Sequence, residues 1–376
     1  MKKLLVASTA LVAFAAVSSA QAADPIKLSI SGFMNQWAGY SDNEGDNGAA
    51  NYSEVGTFSD AEVHFSGSTK LDNGLTVAVK IEAERSGGTD GVSDDTFLSV
   101  SSDALGTVKI GSTKGAAYGF NTLHGDVGLG LSGTDATTFA QNSLGNDLST
   151  ETSGSDGHKV VYLTPNFGGV QAGVSYGLVN ESNVGSANLQ TSGNDIQYDA
   201  AIAYSGDFDG VTVGADLSYV FVEYGGLTGG GVASSATDGT ATSSIDQIKN
   251  EETLRGGVSV GVAGFTVTAA YLEKDNVGGV TDKDSEAWEA GVAYATGPYA
   301  VSLGYLSASN DDSGLSSAKE DESELWILSG SRDLGAGVSV AASVFNVDTD
   351  DASDNSANQT DEGSNWGVAA GVTVSF

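Results

Sequence analysis

The last residues of the chain read Trp366-Gly-Val368-Ala-Ala370-Gly-Val372-Thr-Val374-Ser-Phe376. In an extended segment successive side chains point to opposite faces. Trp366, Val368, Ala370, Val372, Val374 and Phe376 then share one face, while Gly367, Ala369, Gly371, Thr373 and Ser375 share the other. The first face is apolar throughout, and the second is small or weakly polar and carries no charge. A soluble sheet buries its apolar face and studs the other with charges. A strand with hydrocarbon outside and a watery interior has the pattern seen here. At about 3.4 Å per residue and a tilt near 40°, Trp366 to Phe376 rises about 26 Å, which fits an apolar band about 25 Å tall with an aromatic ring at each border.

The same period of two recurs upstream. Leu75, Val77, Val79 and Ile81 alternate with Thr76, Ala78, Lys80 and Glu82, and Phe265, Val267, Ala269 and Tyr271 alternate with Thr266, Thr268, Ala270 and Leu272. Sixteen such segments are expected: 26–40, 58–70, 75–85, 95–102, 107–115, 158–166, 170–179, 195–205, 211–224, 250–262, 265–274, 286–296, 299–308, 322–331, 338–347 and 364–376. Their connections alternate between tight turns such as Leu71-Asp72-Asn73-Gly74 and Ala263-Gly264, and long Asp-, Ser- and Gly-rich loops, the longest being 116–157. An even count with turns at one end and loops at the other predicts an all-β, 16-stranded antiparallel transmembrane β-barrel with short periplasmic turns and long extracellular loops. A β-sandwich also alternates. Its outer face would carry charges, whereas the non-apolar face here is dominated by Gly, Ser, Thr and Ala; aromatics six residues apart on the apolar face, such as Tyr198 and Tyr204 or Trp288 and Tyr294, rise about 16 Å and fit two interfacial girdles only loosely.

At the other end, Lys2 and Lys3 precede an apolar run, Leu4 to Val17, and Ser18-Ser19-Ala20-Gln21-Ala22 offers a small-x-small cleavage pattern. Residues 1–22 are expected to be a secretory signal peptide and 23–376 the barrel. The run is too short for a spanning helix, which needs about 20 apolar residues. Removing the signal takes away two lysines and no acid, moving the formal charge from −34 to −36. A chain this acidic is not expected to bind nucleic acid. It has no cysteine, so thiolate and disulfide chemistry are excluded.

The mature start Ile26-Lys-Leu-Ser-Ile-Ser-Gly32, the segment Val160-Val-Tyr-Leu-Thr-Pro-Asn-Phe-Gly-Gly-Val170 and the Phe376 end resemble the general (trimeric, sixteen-stranded) porins of Gram-negative bacteria, alphaproteobacterial type. The resemblance covers essentially the whole mature chain by architecture rather than by signature motif. It implies an outer-membrane location, a homotrimer in contact with outer-membrane lipid and lipopolysaccharide, and a third extracellular loop folded into the lumen. The 116–157 connection stands where that loop belongs, although it lacks the Pro-Glu-Phe-Gly-Gly-Asp motif of enteric members. The resemblance also makes Trp366, Val372, Val374 and Phe376 the signal read by the barrel assembly machinery. In the family, acids on the third loop face bases on the opposite wall. Asp126, Asp135, Asp147 and Glu151 are the loop acids here, with Glu62 and Glu82 inward on the wall. The basic wall would comprise His64, Lys80, Arg85, Lys109, Lys114 and Arg255. Some of these bases could instead neutralise a neighbouring acid, as Lys80 beside Glu82 and His64 beside Glu62.

Strand parity places Glu84, Asp216, Glu289 and Glu324 inward as well, so a weakly cation-selective general diffusion pore is expected. A substrate-specific channel would need a lumenal aromatic track, and inward aromatics are few. A structural or adhesion role would go without channel activity. No cofactor is expected, apart from weak Ca²⁺ binding at acidic loops such as Asp348, Asp350, Asp351, Asp354, Asp361 and Glu362. That loop departs from the EF-hand pattern at Ser353 and reads more simply as solvated and self-repelling. Gly128-Leu-Gly130-Leu-Ser-Gly133 spells a dinucleotide fingerprint but lacks the helix after it. Gly173-Val-Ser175-Tyr-Gly177 and Gly257-Val-Ser259-Val-Gly261 spell a nucleophile elbow inside strands, where the serine is not presented. With only His64, His124 and His158, a histidine-based catalytic or metal cluster has little material, and no enzymatic activity is expected.

Overall fold

The computed structural model describes residues 25–42, 54–84, 93–132, 139, 149–152, 157–179, 195–224, 249–281, 283–311, 320–350 and 363–376. The segment 1–22 lies outside them. Alternating side chains become sixteen strands: β1 (Lys27–Asp42), β2 (Val55–Lys70), β3 (Thr76–Glu84), β4 (Ser93–Ser102), β5 (Gly106–Ser112), β6 (His158–Leu163), β7 (Val170–Leu178), β8 (Ile196–Phe208), β9 (Val211–Glu223), β10 (Glu251–Val262), β11 (Phe265–Asp275), β12 (Ser285–Thr296), β13 (Tyr299–Asp311), β14 (Glu320–Gly335), β15 (Val338–Asp350) and β16 (Gly363–Ser375). Each pairs antiparallel with its sequence neighbours, and β16 pairs with β1, closing the sheet. Closure leaves no open sheet edge, the condition for a sheet in hydrocarbon. A short helix, α1 (Ala116–Gly119), follows β5.

Tight turns set the register. Asp209-Gly210, Ala263-Gly264 and Ala336-Gly337 each hold two successive positive φ values, as a two-residue type I′ hairpin turn requires. The last of these lengthens β14 beyond the expected 322–331 to Glu320–Gly335. β6 ends at Leu163, short of the expected 166, because Thr164 to Gly169 make the turn into β7.

The outer face is apolar and ringed with aromatics. Tyr176–Tyr198, Trp288–Tyr305 and Tyr305–Trp326 have ring centroids 5.1, 4.8 and 4.5 Å apart toward the loop end. Phe265–Tyr294 (4.4 Å) lies beside a tight turn. Just beyond the loop-side girdle come outward carboxylates. The Tyr219 hydroxyl donates to Glu252 at 2.7 Å, Tyr271 to Glu286 at 3.0 Å, and Trp366 Nε1 to Asp42 at 3.1 Å. An amphipathic ring with its polar tip at the edge of the hydrocarbon is where Tyr and Trp are most stable.

Glu324 belongs to this outer set, which corrects its inward assignment. Trp326 and Leu328, of the same parity, are 47% and 51% exposed, whereas Leu325 and Ile327 are buried inside. Both faces of β14 are apolar here, so alternation alone gives no orientation. Asp348 and Asp350 face Glu324 and Glu322 across the β14–β15 ladder. The other acids of that loop, Asp351, Asp354, Asp361 and Glu362, lie outside the described residues.

The inside carries an apolar core that the sequence did not announce. Trp37, Leu306, Leu325, Ile327, Phe345 and Val347 point inward and pack with Leu129, Leu131 and Phe139 of the loop after β5.

Candidate functional site

That loop runs along the inner wall of the barrel and is pinned to it by inward side chains taken almost strand by strand. The Ala116 and Ala117 amides donate to Ser175 Oγ on β7 (3.3 Å) and Asp199 Oδ1 on β8 (3.0 Å). Those of Thr122 and His124 donate to Asp216 Oδ2 on β9 (2.9 Å) and Glu289 Oε1 on β12 (2.6 Å). Val127 reaches Ser302 Oγ on β13 (3.0 Å), and Leu129 reaches Ser343 Oγ on β15 (3.1 Å). A loop buried inside a barrel has backbone donors that no ladder satisfies, and these wall groups satisfy them.

Asp126 organises the middle of this strip. Its carboxylate accepts from Ser302 Oγ (2.5 Å), Ser329 Oγ (2.9 Å) and the amides of Gly128 (2.9 Å) and Gly130 (3.0 Å). Gly128 lies so close to Ser329 and Ser343 that a Cβ would collide with both hydroxyls, and Gly130 has φ +106°. The glycine string that mimics a nucleotide fingerprint thus serves to press the chain against the wall.

Arg255 ties two limbs of the loop together. Its guanidinium pairs with Asp216, donates through Nη2 to the Thr122 carbonyl and through Nε to the Thr150 carbonyl, the latter two at 2.7 Å. The side chain is 0% exposed. This corrects its expected place on the water-lining basic wall: it points inward but is consumed in holding the loop. Ser132 Oγ meets Ser149 Oγ at 3.0 Å and accepts the Thr150 amide at 2.9 Å, adding a second tie.

The loop's ionisable groups feel this burial. Desolvation lowers the His124 pKa below its ordinary value against the opposing pull of Asp126. Its ring covers Gly291 and Gly304 on β12 and β13, and Nε2 is buried with no hydrogen-bond partner among the described residues. Glu151 is pushed up by burial and by the Glu289 charge, with Lys114 and Arg255 pulling the other way. Asp135 and Asp147 lie outside the described residues, as does Arg85.

A further group of charges lies on the wall of β2–β5 and just past its end. Glu62 and His64 of β2 stand opposite Glu84 and Glu82 of β3. His64 Nε2 is 2.6 Å from Glu62 and 3.5 Å from Glu82, and Lys80 pairs with Glu82. Lys109 Nζ lies 5.1 Å from the Phe97 ring centre, and Lys114 Nζ lies 5.0 Å from that of Tyr118. The His64 and Lys80 side chains keep 22% and 34% exposure, so water reaches this wall.

Of the wall groups that pin the loop, Asp199, Ser302, Ser329 and Ser343 carry no motif in the sequence, and Ser175 stands out only as the serine of an apparent nucleophile elbow. Serine is an ordinary small inward residue of a barrel, so it carries no signal alone. The signal that was available lay in the loop, where Asp126-Val-Gly128-Leu-Gly130-Leu alternates apolar side chains with glycines next to an acid.

A family model described as Gram-negative porin matches residues 7–352. No curated protein matches the chain significantly. Solved structures of similar fold include an anion-selective porin from Comamonas acidovorans (17% identity, 93% of this chain and 100% of that one, TM-score 0.61). A trimer form of OmpT, an outer membrane protein of Vibrio cholerae, has 11% identity over 94% of this chain and 100% of its own, with a TM-score of 0.60. Salmonella typhi OmpF in complex with daunomycin has 16% identity over 93% of this chain and 98% of its own, with a TM-score of 0.59.

Proposed function

The chain belongs to the Gram-negative porin family, and we propose that its barrel works as a general diffusion pore with a weak preference for cations. Membership makes it an outer-membrane β-barrel channel for small solutes. The observation that carries the finer reading is the loop pinned along β7–β15 while β2–β5 keep solvent-exposed charged side chains. A strip fixed flat to one wall narrows a lumen without plugging it.

Lack of solute specificity is supported by where the inward aromatics sit. Trp37 and Phe345 are buried under the loop, and Phe33 and Phe97 stand singly beside His64 and Lys109. None of these makes a sliding track. Liposome-swelling rates for uncharged sugars should fall with size and ignore stereochemistry.

The charge balance supports cation preference. Asp216 is neutralised by Arg255, while on the β2–β3 wall the carboxylates of Glu62, Glu82 and Glu84 outnumber the ammonium of Lys80, which pairs with Glu82. The Comamonas acidovorans relative is described as anion-selective. The strongly acidic balance of this chain, 49 acids against 15 bases, argues for the opposite sign. In a planar bilayer under a KCl gradient the reversal potential should show K⁺ preferred modestly over Cl⁻, and chloride preference would reject this reading. Assembly as a homotrimer, the form described for the Vibrio cholerae relative, should appear in the same records as three equal closing steps per inserted unit.

The terminal residue is also given a role. The Phe376 amide donates to the Gly32 carbonyl and the Gly32 amide to the Phe376 carbonyl, both at 2.9 Å, so the last residue is part of the barrel seam. With Trp366, Val372 and Val374 on the same outer face, it presents the strand that the assembly machinery would read. Deleting Phe376 should cut the yield of folded barrel in outer-membrane fractions severalfold, measured by heat-modifiable gel mobility. An unchanged yield would remove the assembly role.

A further inference from the structure

On the water-reached wall, two carboxylates converge on one imidazole nitrogen. His64 Nε2 lies 2.6 Å from Glu62 Oε2 and 3.5 Å from Glu82 Oε1. All three ligand atoms fall within 4.8 Å of one another. The arrangement is set by the fold: Glu62 and His64 are two apart on β2 and share its inner face, and the β2–β3 register puts Glu82 directly across from His64. Phe33 packs edge-on against the imidazole, 6.3 Å between ring centres, and holds its plane.

A single N–H can serve only one of two carboxylates well. A metal ion serves both. Bonds of about 2.0–2.2 Å to nitrogen and oxygen at a tetrahedral centre put neighbouring ligand atoms roughly 3.4 Å apart. The His64–Glu82 separation already has that length. Glu62, 18% exposed, has to draw back by less than about 1 Å to reach it. A water would complete the four-coordinate shell.

We propose that Glu62, His64 and Glu82 form a binding site for a divalent transition-metal ion of the Zn²⁺ class on the wall of the pore. Imidazole as a ligand favours Zn²⁺, Ni²⁺ and Cu²⁺ over Ca²⁺ and Mg²⁺, which prefer an all-oxygen shell. Two carboxylates and a neutral imidazole balance the charge of the dication. Lys80, the present partner of Glu82, is 34% exposed and is displaced toward the lumen when the ion enters. An ion held there adds positive charge to the wall and takes up part of the aqueous cross-section, so metal occupancy reduces cation flux.

The test is calorimetric titration of the detergent-solubilised full barrel with ZnCl₂ in excess Mg²⁺, which occupies all-oxygen sites on the acidic loops. One saturable site per chain is expected. His64→Gln and Glu62→Gln should each weaken it by more than about tenfold, the scale on which even outer-shell losses act. Lys80→Gln should tighten it, because the competing ammonium is gone. In planar bilayers Zn²⁺ should lower the conductance of the native channel relative to its own metal-free value, and should not do so in His64→Gln. No saturable binding, equal affinity in His64→Gln, or weaker binding in Lys80→Gln overturns the site. The conductance arm rests on the channel reading and calorimetry does not, so a barrel that binds Zn²⁺ without conducting would reject the pore and keep the site.

Discussion

Replacing Arg255 by alanine is expected to free the inner loop and produce a larger, noisier single-channel conductance. The guanidinium is completely buried, pairs with Asp216, and accounts for one carbonyl bond to each of two loop limbs, at Thr122 and Thr150. Removing it leaves Asp216 charged and buried and two carbonyls without their donor. Breaking a buried pair from one side costs about 3–5 kcal/mol. The strand ladder relieves none of this, because the penalty sits at Asp216 and the Thr122 and Thr150 carbonyls. Undocking the loop and hydrating Asp216 is the way to relieve it. Limited proteolysis of the loop in detergent should report the same change. Arg255→Lys should be only a partial rescue, since one ammonium cannot reproduce the planar fork toward three acceptors. Arg255→Ala combined with Asp216→Ala should recover part of the loss, because no charge is then stranded. A conductance and cleavage pattern identical to the native channel would show that Arg255 does not hold the loop.

Asp126→Ala is expected to act in the middle of the same strip. One carboxylate there accepts two wall hydroxyls and two loop amides. Hydrogen bonds to a charged acceptor contribute about 1.5–3 kcal/mol each, though bonds sharing one carboxylate do not add independently. A loss of at least about 3 kcal/mol in loop docking follows. Ser302 and Ser329 lose their acceptor, and Leu129 and Leu131 lose the anchor that keeps them in the buried cluster with Leu306 and Phe345. The conductance should rise and thermal unfolding of the barrel should change little, because the strand ladder is untouched. Asp126→Asn, which keeps one acceptor oxygen, should fall between. If the melting temperature dropped sharply while conductance stayed constant, Asp126 would be a barrel-stabilising group rather than a loop anchor.

The architecture was readable because the alternation is written in nearly every strand. β16 shows it most clearly, with Trp366 to Phe376 dividing into one apolar and one small face, and the structure keeps that division. Alternation fails where both faces are apolar. On β14, Leu325 and Ile327 turn inward beneath the loop while Trp326 and Leu328 meet lipid, so Glu324 was turned the wrong way. Parity turns Lys80, Lys109 and His64 inward, yet it says nothing of partners. That Arg255 is consumed by Asp216 and two carbonyls depends on a loop more than 100 residues upstream in sequence. The docking of that loop was implied by family resemblance alone, since its wall contacts are serines and backbone amides that look ordinary in a sequence.

The seam between β1 and β16 has a consequence for biogenesis. Asp42 and Trp366, bonded across it, are 324 positions apart. No subset of the strands can seal the cylinder, so a partly translated or truncated polypeptide keeps two sticky borders ready to pair with any neighbour. Closure of the sheet therefore waits on the final hairpin, whose last strand is the one that meets the first.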